Sequence, residues 1–188
     1  MLSFATVVLL GISCVGYGLC WLKILRLPHP RSWSESWAIS FALGLGTIGW
    51  ILFWVGIGDL LVSAALIGVF VVGLICCFVF RAELSFPERV SLDRKTVFIS
   101  VIFIACFCLD ILEAFAPPAD ADTLAYHFAI PKRFLEKEFI EFIPYAVDGA
   151  IPLLLHLTYV LAFGLGGELA LNLWMFLCQA FLILGVYG

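Results

Sequence analysis

Long apolar segments, separated by short polar connections, constrain the fold of this chain more than any other feature. A helix needs about 20 residues to cross the hydrocarbon core of a bilayer. Hydrophobic residues make up 64% of the chain and charged residues 13%, against about 45–50% and about 25% in soluble domains. Because one core cannot bury so much apolar surface, part of it must face lipid. The segments predicted to span the bilayer are 2–22, 37–58, 60–80, 96–115, 151–166 and 169–188.

The predicted fold is an all-α, polytopic bundle of about six transmembrane helices, with an added amphipathic helix at the surface. Residues 1–95 hold the first three spans, and residues 96–188 hold the last three together with a long connection at 116–150. Only Gly58 and Asp59 separate the second and third spans, which predicts a tight helical hairpin. The fifth span is expected to tilt or end early, because glycines close it: Gly164, Gly166 and Gly167.

Basic residues assign the connections to the two sides of the membrane. Seven of the ten Lys and Arg residues lie in the connections 23–36 and 81–95, which the positive-inside rule places in the cytoplasm. These are Lys23, Arg26, Arg31, Arg81, Arg89, Arg94 and Lys95. Alternation then places the N-terminus, Asp59 and the connection 116–150 on the external side.

Charge and cysteine usage exclude several classes of protein. The net charge of −4, with no basic patch, lacks the electrostatic footprint of a nucleic-acid-binding protein. All seven cysteines lie inside apolar runs, and their spacing resembles neither a zinc site nor a disulfide framework. They are interpreted as small core residues of helices.

The stretch 117–131 concentrates the chemistry of the chain, because it places carboxylates, a tyrosine and a histidine after an apolar span. Asp120 and Asp122 lie two residues apart, so one can act as a general base while the other holds a cation or orients the first. On a helix, Tyr126 shares a face with Asp122, and His127 shares a face with Asp120. His127 can bind a phosphate when protonated or a metal when neutral.

The residues after Pro131 predict an amphipathic helix on the membrane surface, broken or kinked at that proline. Apolar residues recur there at helical spacing, namely Phe134, Leu135 and Phe139. Lys132 and Arg133 lie on the charged face and can clamp a lipid phosphate. We predict that Lys132 and Arg133, with Tyr126 and His127, bind the substrate.

Each of these residues also has a purely structural explanation. Asp120 and Asp122 can cap the free N–H groups of the next helix. Tyr126 and His127 can anchor the chain at headgroup depth. The basic residues that follow can simply face water or bind anionic lipid.

Four further polar residues lie within or beside the apolar spans. Asp110 and Glu113 fall in the last turns of the fourth span, where an acid is a functional candidate but can also reach outward to the interface. His156 and Glu168, near the fifth and sixth spans, are interpreted as ordinary interhelical hydrogen-bonding groups.

The pattern Pro-Pro-x-Asp-x-Asp-x-Leu-x-Tyr-His-x-x-x-Pro-Lys at 117–132 resembles bacterial polytopic glycosyltransferases of the GT-C superfamily. Within it, the similarity is to the protein mannosyltransferases and the aminoarabinose lipid A transferases. Supporting features are Pro152 followed by Leu157 to Tyr159, the Leu-Gly-Gly of 165–167, and Gly44-Leu-Gly46-Thr. The resemblance covers about residues 37–180 and is sharp only in the loop.

The resemblance implies a multi-helix enzyme of the bacterial inner membrane with its acidic first loop on the periplasmic side. It implies a polyprenyl-phosphate-sugar donor and transfer, usually with inversion, to a lipid, glycan or protein. Asp122 matches the loop aspartate described as the general base. Asp120 matches the neighbouring acid that supports the base or binds a divalent cation such as Mg²⁺ or Mn²⁺.

Family members are much longer than 188 residues. The expectation is therefore a fragment of a longer protein, a shortened relative, or a subunit that has lost catalysis. The alternative function is a small non-catalytic membrane subunit that packs against a larger complex, which the 15% aromatic content favours. A transporter is a weaker alternative, because the first and last three spans show no convincing internal repeat.

Overall fold

A computed structural model describes residues 2–26, 32–84, 94–117, 119, 121, 123–144 and 154–187. Every regular element in this part of the chain is helical. The α-helices are α1 (Leu2–Ile24), α2 (Trp33–Ile57), α3 (Ser63–Phe80), α4 (Arg94–Ala114), α5 (Ala129–Lys137) and α6 (Leu154–Tyr187). A 3₁₀ turn (Arg81–Glu83) follows α3, and a π-helical turn (Thr123–Phe128) precedes α5.

By length and composition, four helical stretches among the described residues can cross a membrane. They are Leu2–Ile24, Trp33–Ile57, Ser63–Glu83 and Leu154–Val186. The predicted all-α membrane bundle is therefore confirmed, whereas six separate spans are not. The difference lies partly in α6, which breaks at Gly167, so that the predicted fifth segment forms only the stretch 154–166, shorter than the about 20 residues a span needs.

Helix α1 is packed against α2 and α3 through backbone contacts that only glycine permits. A Cβ atom at Gly18 would lie 1.8 Å from the carbonyl oxygen of Ser40, and one at Gly44 would lie 1.7 Å from that of Cys14. On the side of α3, the Tyr17 hydroxyl donates to the Val69 carbonyl at 2.7 Å. Small residues that bring helix backbones together, joined by a few polar contacts, are typical of packing in lipid.

Helix α6 folds back on itself at Gly167, where φ is 74° and ψ is −166°. Trp174 Nε1 donates to Thr158 Oγ1 at 3.0 Å, although 16 residues separate them. In one straight helix these residues would be about 24 Å apart along the axis. Helix α6 is therefore a hairpin with a first limb (residues 154–166) and a second limb (residues 168–187). The predicted break at the glycines is confirmed.

The first limb reaches only part of the way through the bundle. At its start, the Leu154 carbonyl oxygen lies 2.7 Å from a Cβ built on Gly49, in the interior of α2. At the hairpin tip, Gly166 lies beside Thr6, near the beginning of α1. The second limb then runs the length of α2, until Gly185 lies beside Ala38. The polar side chains near the start of the first limb therefore lie about halfway through the helix bundle.

Hydrogen bonds group the connections at the two ends of the bundle. At one end, the Leu61 N–H donates to the Glu138 carbonyl at 2.9 Å, and the Ile140 N–H donates to the Gly56 carbonyl at 3.0 Å. These bonds tie the α2–α3 turn (residues 58–62) to the end of α5. The predicted short turn is present, but the predicted tight helical hairpin is wrong, because α2 and α3 each pack against α1 and hardly touch each other. At the other end, Lys23 and Glu83 form an ion pair at 2.5 Å. The grouping matches the one predicted from the basic residues.

The predicted amphipathic helix is present as α5, but three features of that prediction were wrong. Pro131 does not break the helix, because it lies in the first turn, where proline's missing N–H costs no intrahelical hydrogen bond. Pro131, Ile130 and Phe134 are buried in the protein, so this face is not free to contact lipid. Phe139 lies beyond the helix, since Glu138 ends it in a left-handed conformation with φ of 65°.

Candidate functional site

The two predicted catalytic carboxylates, Asp120 and Asp122, lie outside the described residues, as does Pro152. Their roles as general base and metal ligand remain predictions. The structure describes what flanks them. On one side, the Ala116 carbonyl accepts a hydrogen bond of 3.1 Å from Asn172 Nδ2 on the second limb of α6. On the other side is the π-helical turn Thr123–Phe128.

The π-helical turn carries the two ring residues that the sequence predicts to bind substrate, Tyr126 and His127. Turns of this kind are rare and occur frequently at functional sites, because they interrupt the regular spacing of side chains. Phe128 is buried in the core and fixes the end of the turn. Tyr126 and His127 are half-buried.

His127 meets His156 of the first limb through a direct hydrogen bond. The Nδ1 atom of His127 lies 2.9 Å from Nε2 of His156, and the two rings meet edge to edge, with their planes 14° apart and their centroids 4.9 Å apart. Tyr159 sets its edge against both rings, at centroid distances of 5.8 Å and 5.2 Å. Tyr126 approaches His127 at 4.5 Å. We call Tyr126, His127, His156 and Tyr159 the His–Tyr cluster.

A cavity of about 1110 Å³ lies between α4, the π-helical turn and both limbs of α6. His127 and Tyr159 of the His–Tyr cluster line it. Its other polar side chains are Asp110, Glu113, Asn172 and Gln179, and its apolar side chains include Leu45, Leu155, Met175, Phe176 and Leu182. We call this space the α4–α6 cavity.

A second, smaller cavity of about 420 Å³ extends along the same two helices. Asp110 lines both cavities. The remaining side chains of the smaller one are apolar or weakly polar, and include Phe103, Phe107 and Ile183. The boundary between α4 and α6 therefore offers an open cleft with mixed polar and apolar lining beside a mainly apolar one, an arrangement that suits an amphipathic ligand.

The predicted basic clamp lies away from the His–Tyr cluster. Arg133 pairs through Nε with Glu141, and that hydrogen bond holds the pKa of the Glu141 carboxyl below its usual value. Lys132 is exposed on α5. The described lining of the α4–α6 cavity includes neither Lys132 nor Arg133. The structure thus brings His127 and Tyr126 together but leaves the two basic residues on the outer face of α5.

Two residues of the His–Tyr cluster were not selected from the sequence. His156 was interpreted as an ordinary interhelical group, and Tyr159 was noted only within a supporting motif. Their separation of three residues places both on one face of a helix. A histidine and a tyrosine on one face of an otherwise apolar membrane segment is the signal that marks them.

No group of three or more His, Cys, Asp or Glu side chains able to hold a metal ion is found among the described residues. The predicted metal ligand, Asp120, lies outside them. In the comparisons with known proteins, no family model, no curated protein and no solved structure matches the chain.

Proposed function

We propose that the chain is the N-terminal part, or a shortened relative, of a membrane glycosyltransferase that uses a polyprenyl-phosphate-sugar donor. One observation carries the proposal. The π-helical turn that follows Asp120 and Asp122 in the chain places His127 in the lining of the α4–α6 cavity. The resemblance of residues 117–132 to the acidic loop of GT-C enzymes supports the same function.

The two cavities suit a lipid-linked donor better than a small polar molecule. The larger cavity combines polar and apolar side chains, and the smaller one is mainly apolar. We expect the polar side chains of the larger cavity to hydrogen-bond the sugar hydroxyls and His127 to contact the phosphate. We expect the apolar slot lined by Phe103, Phe107 and Ile183 to hold part of the prenyl chain.

In the proposed reaction, Asp122 removes a proton from an acceptor hydroxyl or amine. The acceptor attacks the anomeric carbon, and the bond from that carbon to the phosphate oxygen breaks. The bonding pair leaves with the prenyl phosphate, which is already a good leaving group. Catalysis then depends mainly on positioning the two substrates and on stabilising the phosphate. The distribution of basic residues supports reaction at the external face of a bacterial inner membrane.

The test is the substitution Asp122→Asn, with transfer of labelled sugar from a polyprenyl-phosphate donor measured in proteoliposomes. Loss of a general base lowers turnover by about 10²–10⁴-fold. Asp59→Asn is the matched control, because it makes the same chemical change at a residue outside the described lining of the α4–α6 cavity. Asp59 lies in the α2–α3 turn, which is hydrogen-bonded to the end of α5. Unchanged turnover in Asp122→Asn would remove that residue from its role.

A non-catalytic membrane subunit is the second candidate, and the exposure of α4 favours it. Large apolar side chains are exposed around this helix, including Phe98, Val101, Ile104 and Leu109. Such a helix faces either lipid or a partner helix. Co-purification with another membrane protein in fixed ratio, without sugar transfer, supports the subunit function and contradicts the enzyme.

A further inference from the structure

We infer that His127 and His156 form a proton-sharing pair that recognises the anionic phosphodiester of a lipid ligand in the α4–α6 cavity. In this pair His127 contacts the phosphodiester, and His156 is a positioning residue. The choice of a prenyl phosphodiester as ligand rests on the proposed function, whereas the chemistry of the pair rests on the structure alone.

The geometry of the pair limits how many protons it can hold. A neutral imidazole carries one N–H and one acceptor nitrogen. At 2.9 Å between His127 Nδ1 and His156 Nε2, one nitrogen must donate and the other must accept. One additional proton is compatible with that bond, because a single acceptor nitrogen remains between the rings. A second would set two N–H groups against each other and break the contact. The pair therefore carries a charge of zero or +1.

The position of the pair decides which ring meets a ligand. His127 lines the α4–α6 cavity, whereas the described lining does not include His156. When His127 donates its Nδ1–H to His156 and the pair holds the additional proton, Nε2 of His127 also carries a hydrogen. That N–H is the donor available to an anion, and a charged donor forms the stronger kind of hydrogen bond.

Neighbouring groups also affect which ligand the cavity accepts. Asp110 and Glu113 of α4 line the same cavity, and both residues are exposed. Their carboxylates repel an anion, so a hydrogen-bond donor is needed to hold one there. Tyr126 and Tyr159 contact the rings from the π-helical turn and from the first limb. Cys178 of the second limb also lines the cavity. A neutral His127 can also offer its Nε2–H, but an anionic headgroup is expected to bind more strongly to the charged donor of the protonated pair.

The probe is a short prenyl methyl phosphodiester, with the corresponding prenyl methyl ether as its uncharged control. The phosphodiester keeps one negative charge between about pH 5 and about pH 8, the range in which histidine changes charge. Any change in selectivity over that range therefore belongs to the protein. Binding of both radiolabelled compounds is measured on the full chain in nanodiscs of zwitterionic lipid.

For the wild-type chain, phosphodiester binding is expected to strengthen about ten-fold from about pH 8 to about pH 5.5, while ether binding stays constant. His127→Asn keeps an amide nitrogen near the Nδ1 position and removes Nε2, so it loses this gain. His156→Ala loses it as well. His156→Gln, which places an amide nitrogen near Nε2, restores most of it.

The carboxylates need their own control, because their protonation also favours an anion at low pH. The double substitution Asp110→Asn, Glu113→Gln removes them and leaves the histidine pair intact. The pH-dependent gain is expected to persist in this background. This background also tests the inference if a histidine variant does not fold.

Three results would overturn the inference. Phosphodiester and ether could bind equally at low pH, or the gain could survive in His127→Asn, or it could vanish with Asp110 and Glu113. The inference is also overturned if His127→Asn and His156→Ala lower thermal stability but leave phosphodiester binding unchanged, because the pair then has a purely structural role. A result that contradicts only the proposed glycosyltransferase function is distinguishable from these. In that case Asp122→Asn leaves sugar transfer unchanged while the phosphodiester selectivity persists.

Discussion

Trp174 Nε1 donates a hydrogen bond to Thr158 Oγ1 at 3.0 Å, and it joins the two limbs of α6. Both side chains are fully buried, and the Thr158 hydroxyl in turn donates to the Leu155 carbonyl at 2.7 Å. His156 lies two residues before Thr158, and Asn172 lies two residues before Trp174. The bond therefore fixes the relative position of two polar groups next to the loop that contains the predicted catalytic residues.

Substitution of Gly167 tests the turn that makes this contact possible. With φ of 74° and ψ of −166°, Gly167 occupies a region that is almost restricted to glycine. Gly167→Ala is expected to lower the free energy of unfolding by about 1–3 kcal/mol. The cause would be backbone strain and not a steric clash, because a Cβ at this position meets no atom within 4 Å. Thermal unfolding in detergent measures the change. Gly68→Ala, equally open but helical, is the control, and equal effects of both substitutions would contradict the argument.

The break in α6 was predictable from the sequence, because it follows from the local freedom of glycine. The short α2–α3 turn was also predictable from Gly58 and Asp59, and Asp59 takes the left-handed conformation there. The packing of both helices on α1 was not predicted, because it depends on contacts distant in the chain.

The burial of α5 was not predictable from the sequence. An apolar helix face such as Ile130 and Phe134 has the same pattern whether it meets lipid or protein. The His127–His156 contact could not be predicted from the sequence either, because 29 residues separate the two rings and only the tertiary fold brings them together.

Gly44 and Gly46 lie two residues apart on α2 and provide a matched test of helix packing. A Cβ on Gly44 would lie 1.7 Å from the Cys14 carbonyl oxygen, while one on Gly46 meets nothing within 4 Å. Gly44→Ala must push α1 and α2 apart and is expected to cost about 1–3 kcal/mol of stability. Gly46→Ala is expected to be neutral or slightly stabilising, since alanine favours helix. Thermal unfolding of the two variants compares them. Similar melting temperatures would show that the α1–α2 contact is looser than described.

The Arg133–Glu141 pair predicts a small dependence of stability on pH. The hydrogen bond from Arg133 lowers the pKa of Glu141 in the folded chain. Its contribution is therefore present above the pKa of the unfolded chain and is lost as the pH falls through the lower, folded value. Arg133→Gln should return the Glu141 carboxyl pKa toward its ordinary value, as measured by a carbon NMR titration. Lys132→Gln, at a neighbouring exposed position, should leave the pKa of Glu141 unchanged. An equal pKa shift in both variants would show that the loss of one positive charge is the cause, and not the loss of the Arg133–Glu141 contact.

The two ends of the bundle are expected to lie on opposite sides of the membrane. Leu60 and Glu136 are exposed near the end that joins the α2–α3 turn to α5, whereas Leu25 and Ala82 are exposed near the Lys23–Glu83 ion pair. In a background without the seven native cysteines, Leu60→Cys and Glu136→Cys should react with an impermeant maleimide in intact cells. Leu25→Cys and Ala82→Cys should react only after permeabilisation, because basic connections stay in the cytoplasm. The reverse labelling would place the His–Tyr cluster toward the cytoplasmic side and would contradict sugar transfer at the external face. Labelling of all four cysteines from one side would contradict an arrangement in which the two ends of the bundle lie on opposite sides of the membrane.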